Sequence, residues 1–120
     1  MSDRPDEWPG AETEAWPEAA AERLFGAYVI VGLSYFRADG TLDRQEQIHG
    51  EITDLDQKRG IRIALKGAHE GEFYDLPPVL SWFQAAPAGV YRLRSTGEEI
   101  TDPDFTTTWT VNEPPSDYLD

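Results

Sequence analysis

The period of the hydrophobic positions changes once along the chain, at Gly26. Before it, Trp16, Ala20 and Leu24 recur every four residues, the spacing of a single helical stripe. Pro17 suits a first helical position and Glu18 the positive end of the helix dipole. A short helix is therefore predicted over residues 17–24, with its apolar stripe available to lie across a sheet. After Gly26 the pattern alternates. Val29, Val31, Leu33 and Tyr35 share one parity, and Tyr28, Ile30, Ser34 and Phe36 the other. A strand apolar on both faces belongs at the centre of a sheet. Asp39-Gly40 marks a tight hairpin turn, and the chain returns through Leu42, Arg44, Glu46, Ile48, Gly50 and Ile52 as a second strand.

Ile61, Ile63 and Leu65 alternate with Arg62, Ala64 and Lys66, a third strand, and Glu72–Leu76 is a fourth, stopped by Pro77-Pro78. Val79, Leu80, Trp82 and Phe83 fit one or two helical turns near residues 78–84. Val90–Arg94 is a fifth strand. The last, Phe105–Val111, sets Phe105, Thr107, Trp109 and Val111 against three threonines, so one face is apolar and the other carries hydroxyls. These elements predict a mostly β domain: a small antiparallel barrel or strongly bent sheet of about six strands spanning residues 26–111, with two short helices.

Ile48-x-Gly50-x-Ile52-x-x-x-Asp56 followed by Gly60-Ile61-x-Ile63-x-Leu65 resembles the second and third strands of the Sm-like small barrels, which share the SH3-like shape. The resemblance covers residues 48–65 and implies barrel geometry. The asparagine with which that family contacts RNA bases is replaced here by Gly60, so its RNA-binding role is carried to no residue of this chain.

Charge refines the picture. The 120 residues hold 23 acidic and 10 basic side chains, a net charge of -13. Residues 1–24 carry seven acids and two bases and residues 98–120 seven acids and no base, whereas residues 25–97, with nine acids and eight bases, are close to neutral. The acidic, proline-bearing ends predict a disordered arm over residues 1–12 and a disordered tail over 113–120, flanking a single domain over 13–112. Such a balance disfavours nucleic acid as a partner. With no cysteine there is no disulfide, thiol nucleophile or thiolate metal site. The longest apolar run, Ala27–Leu33, is too short to span a membrane, and the first residues lack a basic region followed by an apolar run. The reading is a cytoplasmic monomer.

Little catalytic chemistry is legible. His49 and His69 have no spaced partners and read as surface histidines, and the serines lack a nucleophile-elbow context. Ile52-Thr53-Asp54-Leu55-Asp56 is echoed by Ile100-Thr101-Asp102-Pro103-Asp104, but without an oxygen-rich series these aspartates read as turn formers. No metal, cofactor or glycine-rich phosphate loop is predicted. The candidate binding residues are Trp8, Trp16, Trp82, Arg92 and Arg94. Arg92 and Arg94 are expected to share a basic face with Arg62 and Lys66, and Trp8 and Trp16 each precede a proline in an acidic segment. The leading expectation is a non-enzymatic module that offers a sheet edge and an aromatic arm to a protein partner, a basic one being compatible with the acidic ends. The alternatives are an acidic inhibitor or immunity-type protein covering a basic site, and a small-molecule-binding barrel or enzyme with a cleft near Trp82.

Overall fold

The computed structural model describes residues 16–112. The arm at 1–12, the tail at 113–120 and Trp8 lie outside the described residues. One helix, α1 (Glu18–Leu24), precedes eight strands: β1 (Tyr28–Phe36), β2 (Leu42–Asp56), β3 (Gly60–Leu65), β4 (Phe73–Leu76), β5 (Gln84–Ala85), β6 (Val90–Arg92), β7 (Glu99–Thr101) and β8 (Phe105–Asn112). Leu80–Trp82 forms a 3₁₀ turn where a short helix was predicted.

Among the described residues six strands form one sheet in the order β4-β3-β2-β1-β8-β5, and β6 pairs only with β7 in a separate ribbon. Of the two expected forms, barrel or sheet, the structure has the open sheet, with β4 and β5 as its two edges. Its pairings are mostly antiparallel; the exception is β8, which runs parallel to β1 from Val29↔Phe105 to Phe36↔Asn112. The long connection from β2 to β7 brings the chain back beside β1 in β1's own direction, which a hairpin cannot do. Within the segment that resembles Sm-like barrels, β2 and β3 do form an antiparallel hairpin, with a register shift between Ile52 and Asp54.

The central placement of β1 follows from its two apolar faces. Val29, Val31 and Leu33 join Ile48, Ile52, Ile61, Ile63, Leu65 and Leu76 in the main core, which Leu24 of α1 and Leu80 of the 3₁₀ turn cover from outside. Each such aliphatic side chain, fully buried, contributes about 1.5–3 kcal/mol. On the other face, Ile30 packs with Leu93 and Ile100 of the ribbon, flanked by Tyr28 and Tyr91. The domain thus has three layers: helix and 3₁₀ turn, sheet, ribbon.

Gly50 sets the spacing of β2 and β3. A Cβ there would collide with the carbonyl of Ala64 and lie within 2.9 Å of Leu65 Cα, so only glycine permits the two backbones to approach this closely. The paired aspartates act on backbone groups. Asp56 Oδ1 accepts the N–H of Lys58 and of Arg59, both at 2.8 Å, Asp102 Oδ1 that of Gly89 at 2.7 Å and Asp104 Oδ2 that of Tyr28 at 2.8 Å. No helix among the described residues is long and apolar enough to cross a membrane.

Candidate functional site

The open side of β8 is the first place where backbone and side-chain chemistry converge. β5 pairs with β8 only at Gln84↔Thr106 and Ala85↔Phe105, then gives way to the 3₁₀ turn. Among the described residues, Thr107–Asn112 has no partner strand on that side, which leaves a six-residue edge with unmet backbone donors and acceptors. The departing chain leaves Trp82 beside this edge. Its ring stacks at 4.6 Å, tilted 46°, on Trp109, and Trp82 remains 47% exposed. Ser81, Trp82, Gln84, Thr108, Trp109 and Thr110 enclose a notch of about 390 Å³. Trp109 is half-buried against the main core, on the face that the parity of β8 predicts.

The ribbon and the sheet face beneath it create the second place. On this face β1 presents Gly32 and Ser34, β2 presents Gln45 and Gln47, and β8 presents Thr108, all on one parity by the strand registers. Gln47 fastens the ribbon: its N–H donates to Ser95 Oγ at 3.0 Å, and its Oε1 accepts the Arg94 N–H. Arg94 therefore stands over the sheet at the mouth of a cleft of about 290 Å³.

Sequence reasoning missed a third cluster. His49, read as a surface residue, is 4% exposed. Its Nδ1 lies 2.6 Å from Tyr28 Oη and its Nε2 3.2 Å from Glu98 Oε1. Glu98 also accepts the Thr96 hydroxyl at 2.9 Å and the Ala68 N–H at 3.0 Å. The Thr96 hydrogen bond, helped by those from His49 and Ala68, holds the Glu98 carboxyl below its ordinary value. Burial, then the charges of Glu98 and Glu70, pushes the Tyr28 phenol up. The backbone at Gly67, with φ +66°, passes so near Glu98 that any Cβ would strike the carboxylate. Both ring nitrogens of His49 are engaged, so the cluster joins β1, β2, the 67–69 turn and the ribbon. Only its alternation with Ile48 marked His49 as lying on the second face. The burial of that face comes from a ribbon whose pairing is non-local.

The other predicted residues are dispersed. Trp16 is half-buried against the main core beside Ala20 and Leu24, as the helical stripe predicts. Arg92 is exposed on β6 and pairs across the ribbon with Glu99 at 2.7 Å. The expected basic strand face does not form. Among the described residues β6 has no neighbour but β7, and Arg62 on β3 makes a two-pronged contact with Asp75 of β4 at 2.8 and 2.9 Å. Among the described residues no group of three potential metal-ligating side chains converges. Comparison of the chain with protein-family models, with curated proteins and with solved structures finds no match.

Proposed function

We propose that this chain is a protein-interaction module that accepts an extended segment of a partner as an added strand along β8. The observation that carries this reading is the unpaired edge at Thr107–Asn112 lying against the exposed Trp82–Trp109 notch. Strand addition draws affinity from main-chain hydrogen bonds and selectivity from pockets for alternate side chains, and the edge and the notch supply one of each. The partner segment is apolar at the position facing Trp82 and basic at its flanks, because the sequence beyond Asn112 carries Glu113, Asp117 and Asp120 and no base. The aromatic arm at Trp8 is a further anchor in the same proposal.

The test uses a nine-residue peptide of alternating threonine and valine or leucine with lysine at both ends, titrated into the labelled full chain and followed by amide shifts. The expected result is saturable shifts confined to residues 105–112 and the Trp82 indole. Binding should be lost when the peptide is N-methylated at alternate residues and weakened at least tenfold by Trp82→Ala. Equal binding of the N-methylated peptide overturns strand addition. Shifts at the same edge on raising protein concentration alone assign it to a second copy of the chain and also overturn the reading.

A further inference from the structure

The cleft beneath the ribbon is separate from the strand edge and has its own chemistry. Its floor is Gly32, the one position on that face of β1, between Ile30 and Ser34, that leaves the backbone uncovered. About 290 Å³ of space lies above it. A hollow of about 210 Å³ under Tyr91, Arg92 and Leu93 shares Gly32, Gln47 and Thr108 with it. Together they reach the lower end of the size range of small-molecule sites.

The polar groups of the cleft carry one formal charge besides that of Glu46. Gln47 Oε1 is already taken by the Arg94 N–H, and Gln45 Nε2 donates to Ser34 Oγ at 3.1 Å. The groups left over are the Ser34, Ser95 and Thr108 hydroxyls, which donate or accept, the Gln47 amide hydrogens, the Gln45 Oε1 acceptor and the Arg94 guanidinium, so the formal charge among them is the guanidinium's. Among the described residues the Arg94 guanidinium has no carboxylate within ion-pair distance, whereas Arg37, Arg62 and Arg92 each have one and Arg44 has two. Glu46, which also borders the cleft, falls on the opposite parity of β2, and Arg44 Nε holds its carboxylate at 3.2 Å. Arg94 is also fixed at its backbone, through Gln47 and Ser95 and through the adjacent Leu93, which is 1% exposed. An exposed arginine anchored at its backbone, lining the cleft beside hydroxyl and amide groups and with no carboxylate partner among the described residues, is matched by a ligand that carries a negative charge and hydrogen-bond acceptors.

We infer that this cleft binds a small organic monocarboxylate, its planar carboxylate paired with the Arg94 guanidinium and its body lying over Gly32. A single guanidinium offsets a single charge, and the fork geometry of arginine fits a carboxylate in two parallel hydrogen bonds. A second negative charge on the ligand would meet the repulsion of the whole molecule.

The probes are sodium benzoate, the neutral isostere benzamide and inorganic phosphate, each titrated into the labelled full chain at constant ionic strength. The expected result is saturable amide shifts at Gly32, Ser34, Gln47, Ser95 and Thr108 with benzoate, at least tenfold weaker with benzamide and at least tenfold weaker in Arg94→Gln. Gly32→Ala should reduce benzoate affinity while leaving the melting temperature unchanged or raised. The added Cβ would sit 3.6 Å from Thr108 Cγ2, an ordinary contact, and alanine loses less chain entropy than glycine on folding. Benzoate binding should survive Trp82→Ala, which separates this site from the strand edge. Equal response to benzoate and benzamide, indifference to Arg94→Gln, phosphate binding as tight as benzoate, or no localised shift with any probe each overturns the inference.

Discussion

At the scale of single residues, two positions carry consequences that their neighbours do not. Gly50 lies in a strand interior, where a glycine ordinarily weakens the sheet, yet the Ala64 carbonyl occupies the space of its missing side chain. Gly50→Ala must therefore force β2 from β3 in the middle of the main core. The expected loss is about 3 kcal/mol or more in denaturant unfolding, of the size caused by core overpacking and strain. A loss under about 1 kcal/mol would mean that the two strands are not in this register. Tyr74, half-buried on β4, is pushed up to about 12 by burial first and then by the neighbouring Tyr35. A raised phenol contributes stability that is intact below the ordinary tyrosine range near 10 and is lost as pH climbs through the folded value. Absorbance of phenolate should therefore show a late-ionising tyrosine as pH approaches 12, accompanied by unfolding. Tyr74→Phe should remove that late step, and a single titration near pH 10 for all five tyrosines would contradict the burial.

At the scale of elements, local alternation made β1, β2, β3 and β8 legible in the sequence, because each is long enough to repeat its period and apolar enough to show a face. It failed for β5 and β7, which at two and three residues have no period to read. It could not reveal that β8 lies parallel to β1, since pairing partners are not a property of either segment alone. The ribbon of β6 and β7 shows the consequence for the candidate sites. Arg94 was identified from sequence, but the cleft it faces exists only because Leu93 and Ile100 cap Ile30. His49 was misread for the same reason. The Glu98 carboxylate is the ribbon's hydrogen-bonded tie to the sheet, with its pKa lowered in the folded state. A depressed carboxyl stabilises above its unfolded pKa, and that contribution is lost as pH falls through the lower folded value. In acid, below the ordinary glutamate range, hydrogen exchange at Leu93, Gly97 and Ala68 should accelerate before exchange in β1 and β2 does. Glu98→Gln should show about fivefold or greater acceleration at those amides already at neutral pH, by the scale of one lost charge-assisted hydrogen bond, and a flatter dependence on pH. Simultaneous opening of ribbon and sheet in acid would show that the tie is not local.

At the scale of the whole molecule, the charge is distributed so that the core fold and the acidic flanks pull against each other. Of the net -13, residues 16–112 account for 15 acids and nine bases, or -6, and the flanks account for the remaining -7. The exposed ion pairs, such as Arg37 with Asp43 and Arg92 with Glu99, are each worth about 0–1 kcal/mol and weaken with salt. Arg62 and Asp75, at 18% and 15% side-chain exposure, are screened less. Self-repulsion of an excess charge of this size acts over the full molecule at low ionic strength, when the screening length is about 30 Å, and fades when it shortens to about 8 Å at 0.15 M. Repulsion is thus the larger salt-sensitive quantity, and adding salt should stabilise the fold. The melting temperature of the full chain should rise by about 3–6 °C between 0.01 and 0.15 M sodium chloride, the change expected for about 1 kcal/mol in a domain of this size. Most of the rise should occur below 0.1 M. Chloride is the appropriate salt because sulfate strengthens apolar burial independently of charge. The same range of salt should weaken the lysine-flanked peptide at the β8 edge, where charges of opposite sign meet. Salt that raises the melting temperature while lowering peptide affinity is the joint outcome that follows from this charge distribution. A melting temperature that falls with chloride would instead mean that attractive pairs outweigh the excess of acid, and that the flanks lie close to the basic side chains of the domain.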